Sequence, residues 1–200
     1  ELYKILKLNN FISLNGNTDL KEIFTLIFPE FKNLKRLERI IKICDYSQID
    51  RDLLLATLLI DDKDSHEYFA HKYNISNNIK EKLNSFAKNI KLINENKYFF
   101  NKDLERHIYL YNKNYLINLN ILNFAINQKI KLKDFSETLK KILKSKTHKF
   151  TISGKYLLKN GMKQGSQMGK VLKKIEEEWM SNNFQITKER IKEIIRSFSN

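Results

Sequence analysis

Four glycines, at 154, 161, 165 and 169, stand seven, four and four residues apart within a lysine-rich stretch. Glycine and lysine in such a pattern fit one chemistry, the holding of phosphate. Glycine lets backbone N–H groups approach an oxyanion closely, and lysine supplies the opposing charge. From Thr138 to Ile175 there are eleven lysines, four of the chain's five glycines and no acidic residue. That stretch holds eleven of the fourteen net positive charges, so the rest of the chain is close to neutral. Charge this concentrated has a polyanion as its natural partner. Lysine outnumbers arginine 31 to 6. Lysine binds phosphate as a point charge, whereas arginine reads base edges bidentately, so the cluster points to backbone contact more than sequence readout.

Other constellations carry less. Gly165-Ser-Gln-Met-Gly169-Lys170 has the outline of a nucleotide P-loop but fails it. Three residues separate the glycines where four are required, Val171 occupies the Ser/Thr position, and no strand precedes it. What survives is a glycine-rich turn leading into a helix N-terminus, whose unpaired N–H groups suit one phosphate, flanked by Lys163 and Lys170. Asp61, Asp62 and Asp64 lie near His66 and His71, but histidines five apart miss the i, i+4 spacing of a shared helix face. These aspartates read as helix caps. The lone Cys44 excludes an internal disulfide and reads as a buried thiol. His107 is isolated, and His148, among lysines, reads as a minor phosphate contact. No carboxylate pair, serine triad or zinc spacing is present, so the residues describe a binder rather than a catalyst.

The elements that must position these residues are helices. The chain has 200 residues, 42% hydrophobic, enough for one sizeable core or two small ones. The longest apolar run, Leu53 to Ile60, falls far short of the roughly 20 residues of a membrane span. No signal peptide is visible, and a cytoplasmic location is expected. Pro29 is the only proline, and apolar residues recur at i, i+3, i+4 almost throughout. The expected fold is all-α, with ten to twelve helices and no substantial sheet. Thr18–Asp19 start one helix and Pro29 closes it; Asn33 to Ile43 carry Leu34, Leu37, Ile40 and Ile41 on one face. Arg51 to Ile60 form a buried helix, with Ser65 and Ser76 as later caps. Segments 103–111, 114–126 and 133–143 follow. Ser153 caps a short helix with Gly161 as its C′ residue and Ile152 and Leu157 as a staple. A longer helix runs from Ser166 to Met180, and Thr187 caps the last, with Ile186 and Ile191 as its staple.

The segment FTISGKYLLKNGMKQGSQMGKVLKKIEEEWMSNNFQITKERI resembles the tail of bacterial CCA-adding tRNA nucleotidyltransferases and the related poly(A) polymerases. Gly154, Leu157, Gly161, Gly165, Gly169, Leu172, Glu176 and Trp179 fall in register with that family's motif. Tyr156 stands where the family has Asp, and Ser166 where it has Pro. Upstream, IFTLIFPEFKNLKRL, DLLLATLLIDD, YNISNNIKEKLNSF and RHIYLYNKNYLINLNILNFA resemble the family's body, and ELYKIL, through Glu1, Leu2, Lys4 and Leu6, the end of its neck.

The resemblance implies three parts: 1–30 as the end of the neck, 31–146 as a helical body, and 147–200 as a tail with the glycine- and lysine-rich loop. It implies tRNA as partner, held at the acceptor and T arms through the phosphate backbone, in tRNA processing. Lys140, Lys141, Lys144, Lys146 and Lys149 would form an entry patch. Lys155, Lys163 and Lys170, with the backbone at Gly154, Gly161, Gly165 and Gly169, would hold phosphates. The family's catalytic head has no counterpart in these residues. No cofactor is therefore expected in this chain, since Mg²⁺ and CTP or ATP would bind the head, carried in cis or by a separately encoded partner. The chain alone is expected to be inactive. The alternative is a stand-alone helical nucleic-acid-binding or assembly module from a split or degenerate gene, or a remnant without function.

Overall fold

The computed structural model describes Lys4, Leu6 and residues 18–45, 48–96 and 98–198, without the side chains of 18–21. Glu1 and Leu2 of the neck match, and the side chains of Thr18 and Asp19, lie outside the described residues. The described residues form eleven helices and no strand, as an all-α fold requires. They are α1 (Thr18–Ile27), α2 (Lys35–Ile40), α3 (Arg51–Leu59), α4 (Ser65–Lys72), α5 (Asn77–Glu95), α6 (Leu104–Tyr111), α7 (Lys113–Ile126), α8 (Leu132–Lys144), α9 (Gly154–Lys159), α10 (Gln167–Ser181) and α11 (Lys188–Ser197). The chain divides into two compact units, Glu1–Ser145 and Lys146–Asn200.

The first unit, the body, is built around α3 and α7. Every residue of α3 from Leu53 to Leu59 is buried, and so are Leu116 and Leu119 to Ala125 of α7. Helices apolar on nearly all sides belong at the centre of a core. α3 packs on α2, α4, α5 and α7, while α7 also meets α2, α5, α6 and α8. Two of the side-chain amides this burial traps donate to partners, while among the described residues Asn89 Oδ1 and Asn84 Oδ1 are left without one. Asn120 Nδ2 donates to Phe135 O, and Asn89 Nδ2 donates to Ser85 O and Tyr115 Oη.

Two arginines of α2 tie the centre together. Arg36 donates to Thr57 O and Ile60 O, closing the C-terminal end of α3. Arg39 donates to Phe124 O, Asn127 O and Ile130 O, closing α7, and its guanidinium lies 4.3 Å from the Phe124 ring centre. Helix ends leave carbonyls without partners, and a planar guanidinium can serve several at once.

Local starts and stops differ from the sequence reading at three places. α2 ends at Ile40, and Ile41 is exposed, because the chain turns there and Ile43 N–H bonds Ile40 O. Ser65 is not the cap of α4 but its first residue. Asp61 does the capping, accepting the Ser65 and Lys63 N–H groups and the Ser65 hydroxyl. Burial alone would raise the Asp61 carboxyl; the hydrogen bonds from Ser65 and Lys63, with the charge of Arg36, outweigh it and hold it low. Third, α7 is capped by Asn112, left-handed at φ 66°, whose side chain accepts from Tyr115 N–H.

Two body histidines bear on stability. His107 lies flat on Phe99, ring centres 3.9 Å apart, and both ring nitrogens are buried without a hydrogen-bond partner. Burial pushes its pKa down, as it does for His66; Asp103 partly opposes the shift at His107, and Glu67, Asp64 and Asp61 do so at His66. A folded pKa below the unfolded value of about 6.5 means that the unfolded chain takes up protons first. Their stabilisation is complete above that value and is lost as pH falls through the folded pKa. The body should therefore melt at a lower temperature at pH 5 than at pH 7.5. His107→Phe, which keeps a ring on Phe99, should shrink that difference; an unchanged difference would exclude His107 as a cause.

In the second unit, the tail, Leu157, Met162, Val171, Ile175, Ile191, Ile194 and Ile195 form the core. α10 packs against both α9 and α11. α9 ends in a Schellman turn: Met162 N–H bonds Leu157 O, Gly161 N–H bonds Leu158 O, and Gly161 sits at φ 92°. That backbone is open to glycine and strained for other residues, which accounts for Gly161 without a ligand. Ser153 holds the N-cap position of α9, though its side chain accepts no capping bond. Thr187 does cap α11, accepting from Arg190 N–H.

Candidate nucleic-acid interface

Lys140, Lys141 and Lys144 belong to the body, on the last turns of α8, and all are exposed. Lys141 Nζ donates to Asn101 Oδ1 at 2.6 Å, so its ammonium is already engaged. Lys146 and Lys149 belong to the tail, exposed in the segment before α9. Lys155 is on the first turn of α9, Lys163 in the turn after it, and Lys170 on the first turn of α10. Among the described residues, no ion pair or hydrogen bond engages the ammonium of Lys146, Lys149, Lys155, Lys163 or Lys170.

The tail brings α9 and α10 together. A Cβ on Gly154 would lie 2.8 Å from Met168 Sδ. The start of α9 therefore lies against Met168 in the first turn of α10. A side chain at Gly154 would have to displace the flexible Met168 thioether, so packing favours glycine there. Gly165 and Gly169 are different: a Cβ at either would meet nothing within 4 Å, and neither has a positive φ. Gly169 lies inside a helix, where glycine costs about 1 kcal/mol relative to alanine. The fold requires neither of these two glycines.

α10 is also charged against its own dipole. Its first turn has no acidic residue and no side-chain cap, and its last turn has no basic residue. Lys170 stands at the positive end, while Glu176, Glu177 and Glu178 stand toward the negative end. Each such placement costs a few tenths of a kcal/mol up to about 1. Arg190 of α11 neutralises Glu178 with two bonds of 2.7 and 2.8 Å and holds its carboxyl below the usual range. The N-terminal end has no such compensation. A helix start without a side-chain cap, lysines unpaired among the described residues and open space at two glycines are what a seat for an anion would need, although Met168 N–H already bonds Gly165 O.

His148 does not join that seat as a free imidazole. Its ring lies flat on Phe184, centres 3.7 Å apart, and meets Trp179 edge-on. Sequence reasoning missed this aromatic group; the signal was Phe150, Trp179 and Phe184 interleaved with the tail's charges.

A basic concavity of about 310 Å³ in the body is lined by Lys32, Lys35, Arg36, Arg39 and Gln128, but its arginines are committed to backbone carbonyls. Cys44 is half-buried, and burial followed by Asp45 pushes its thiol pKa up, which disfavours the reactive thiolate. His66 is buried and His71 exposed, so the two imidazoles do not converge. Among the described residues, no group of three His, Cys, Asp or Glu side chains is placed to hold a metal ion. No helix of the described residues is long and apolar enough to cross a membrane.

Residues 50–195 match the family described as tRNA nucleotidyltransferase domain 2. The chain belongs to that family. The match spans α3 to α11 and so takes in the central body helices and the whole glycine- and lysine-rich stretch. The stretches before residue 50 that resemble the neck end and the start of the body lie outside it. No curated protein and no solved structure matches the chain. This tRNA nucleotidyltransferase domain is thus a helical body and tail.

Proposed function

We propose that this domain grips tRNA by its sugar-phosphate backbone while a catalytic head adds nucleotides to the 3′ end. The observation that carries the reading is the first turn of α10. Gly165 just before that turn and Gly169 within it serve no fold requirement, and among the described residues the ammonium groups of Lys163 and Lys170 have no partner. A-form RNA exposes phosphates and 2′-hydroxyls more readily than its base edges. Contact through lysine and backbone N–H suits a protein that must accept every tRNA. Lys146, Lys149 and Lys155 extend the contact within the tail, and Lys140 and Lys144 supply further charge on the body. The acceptor and T arms are the helical parts of tRNA such a grip would hold.

Nucleotidyl transfer, with its Mg²⁺ and CTP or ATP, belongs to a head outside these residues, on the same polypeptide or a separate one. α1 leaves Ile23, Leu26 and Ile27 exposed, Leu26 at 81%, an apolar face of the kind a neighbouring part covers. CCA addition and polyadenylation are both compatible with this grip, and both would place the protein in the cytoplasm with its RNA.

The test is binding of the purified chain to whole tRNA and to duplex DNA of equal charge, at 50 and 200 mM salt. With about six phosphates engaged, tRNA affinity should fall on the order of a thousandfold across that range. Preference for tRNA should persist at 200 mM. Equal affinity for both would overturn the tRNA reading in favour of a generic nucleic-acid-binding module.

A further inference from the structure

The tail holds a cleft that the phosphate seat does not use. Its volume is about 380 Å³, and its walls include Phe150, Tyr156, Trp179 and Phe184, with Thr151 and Gln185 at the rim. That size lies in the range of small-ligand pockets. Four aromatic side chains around one opening offer faces and edges to a planar guest.

The backbone beside the cleft is strained. Asn183 and Phe184 are consecutive non-glycine residues in the left-handed region, at φ 54° and 61°. A bulky residue there is uncommon, and such strain gathers at ligand sites. It is held by aromatic contact: His148 covers one face of Phe184, and Trp179 meets it at 4.9 Å. The chain would lie more easily elsewhere, and these contacts keep Phe184 at the cleft wall despite the strain.

Charge identifies the guest. No carboxylate lines the cleft. Lys149 adjoins Phe150 in sequence and Lys155 adjoins Tyr156, and neither ammonium has a protein partner among the described residues. The Thr151 hydroxyl and Gln185 amide are exposed, with no hydrogen bond among the described residues. They can donate to and accept from the edge of a heteroaromatic ring. Aromatic walls, polar rim and flanking ammonium groups together match one nucleotide of an RNA strand.

We propose that this cleft takes an unpaired nucleobase of the bound RNA, stacked on the aromatic wall while Lys149 and Lys155 meet the adjoining phosphates. The proposal rests on the tRNA reading for its biological guest, but not for its chemistry. Unpaired bases occur in loops and at ends, so the cleft would add recognition of tRNA shape to a grip that reads only phosphates.

Trp179 is the chain's only tryptophan, so its fluorescence reports the cleft directly. The probe is a single-stranded adenosine trinucleotide, compared with an abasic trinucleotide of equal charge. The base-containing probe should quench Trp179 saturably, and the abasic one should bind about tenfold more weakly. Phe184→Ser should abolish the difference with helix content retained, and Gln185→Ala, at an exposed position, should weaken quenching severalfold. Equal binding of the two probes, or no quenching, would overturn the proposal. Quenching by the trinucleotide in a chain that shows no tRNA preference would uphold the cleft and sink the tRNA reading. Normal tRNA preference without quenching would do the reverse.

Discussion

Lys163→Glu with Lys170→Glu should lower tRNA affinity on the order of a hundredfold at moderate salt, and leave the fold as stable as before or slightly more so. The two halves of this expectation have separate causes. Each lysine that neutralises a phosphate contributes about one unit to the salt dependence, so the double variant should flatten it by about two. Glutamate adds repulsion to that loss. Stability should not suffer, because among the described residues neither ammonium has a partner to lose. A glutamate at position 170 would instead face the positive end of α10, a favourable placement. Gly169→Ala refines the test. It should raise helix stability by up to about 1 kcal/mol, since nothing lies within 4 Å of the added methyl, and it should weaken tRNA binding if a phosphate sits there. Binding isotherms and thermal melts of the two variants decide the matter. Unchanged tRNA affinity in the double variant removes the first turn of α10 from the interface.

This opposition between stability and placement also explains what could be read from the chain alone. The α-helical class was legible because it depends on local spacing: Val171, Ile175 and Trp179 declare their periodicity within one helix. The Schellman turn at Gly161 was legible for the same reason, since glycine at that point is a local demand. Partnerships across the fold were not. Arg39 bonds carbonyls more than eighty residues away, and nothing beside it in sequence announces them. Ile41 fits the face of Leu34, Leu37 and Ile40 by spacing, yet the chain turns before it and leaves it exposed. In the lysine-rich stretch the sequence pattern located the charge but could not separate glycines with different tasks. Gly154 is used by packing and Gly161 by the turn, while Gly165 and Gly169 are used by neither. The left-handed backbone of Phe184 had no such signal, because a left-handed phenylalanine is a tertiary outcome that no local preference foretells.

Trp179→Ala should act in the opposite way to the lysine variants, costing about 3–5 kcal/mol of tail stability. The indole is 9% exposed and has Phe184 at 4.9 Å, Phe150 at 5.3 Å and His148 edge-on at 6.4 Å. Removing it leaves a cavity and also frees the strained Asn183–Phe184 turn that the ring helps to hold. A tail whose core is seven side chains has little in reserve, since whole domains are stable by only about 5–15 kcal/mol. The tail should therefore unfold at a temperature where the body, with its much larger core, stays folded. Circular dichroism should show part of the helix signal melting early, and hydrogen exchange should place the loss in residues 146–200. Trp179→Phe, which keeps a ring, should lose much less. An unchanged melt in the alanine variant would show that the ring supports nothing. If the loss is as expected, tRNA binding must fall with it, because the first turn of α10 exists only in a folded tail. Two variants would then weaken the same complex for different reasons: one removes charge from an intact surface, the other removes the surface. A thermal melt beside each binding curve tells them apart.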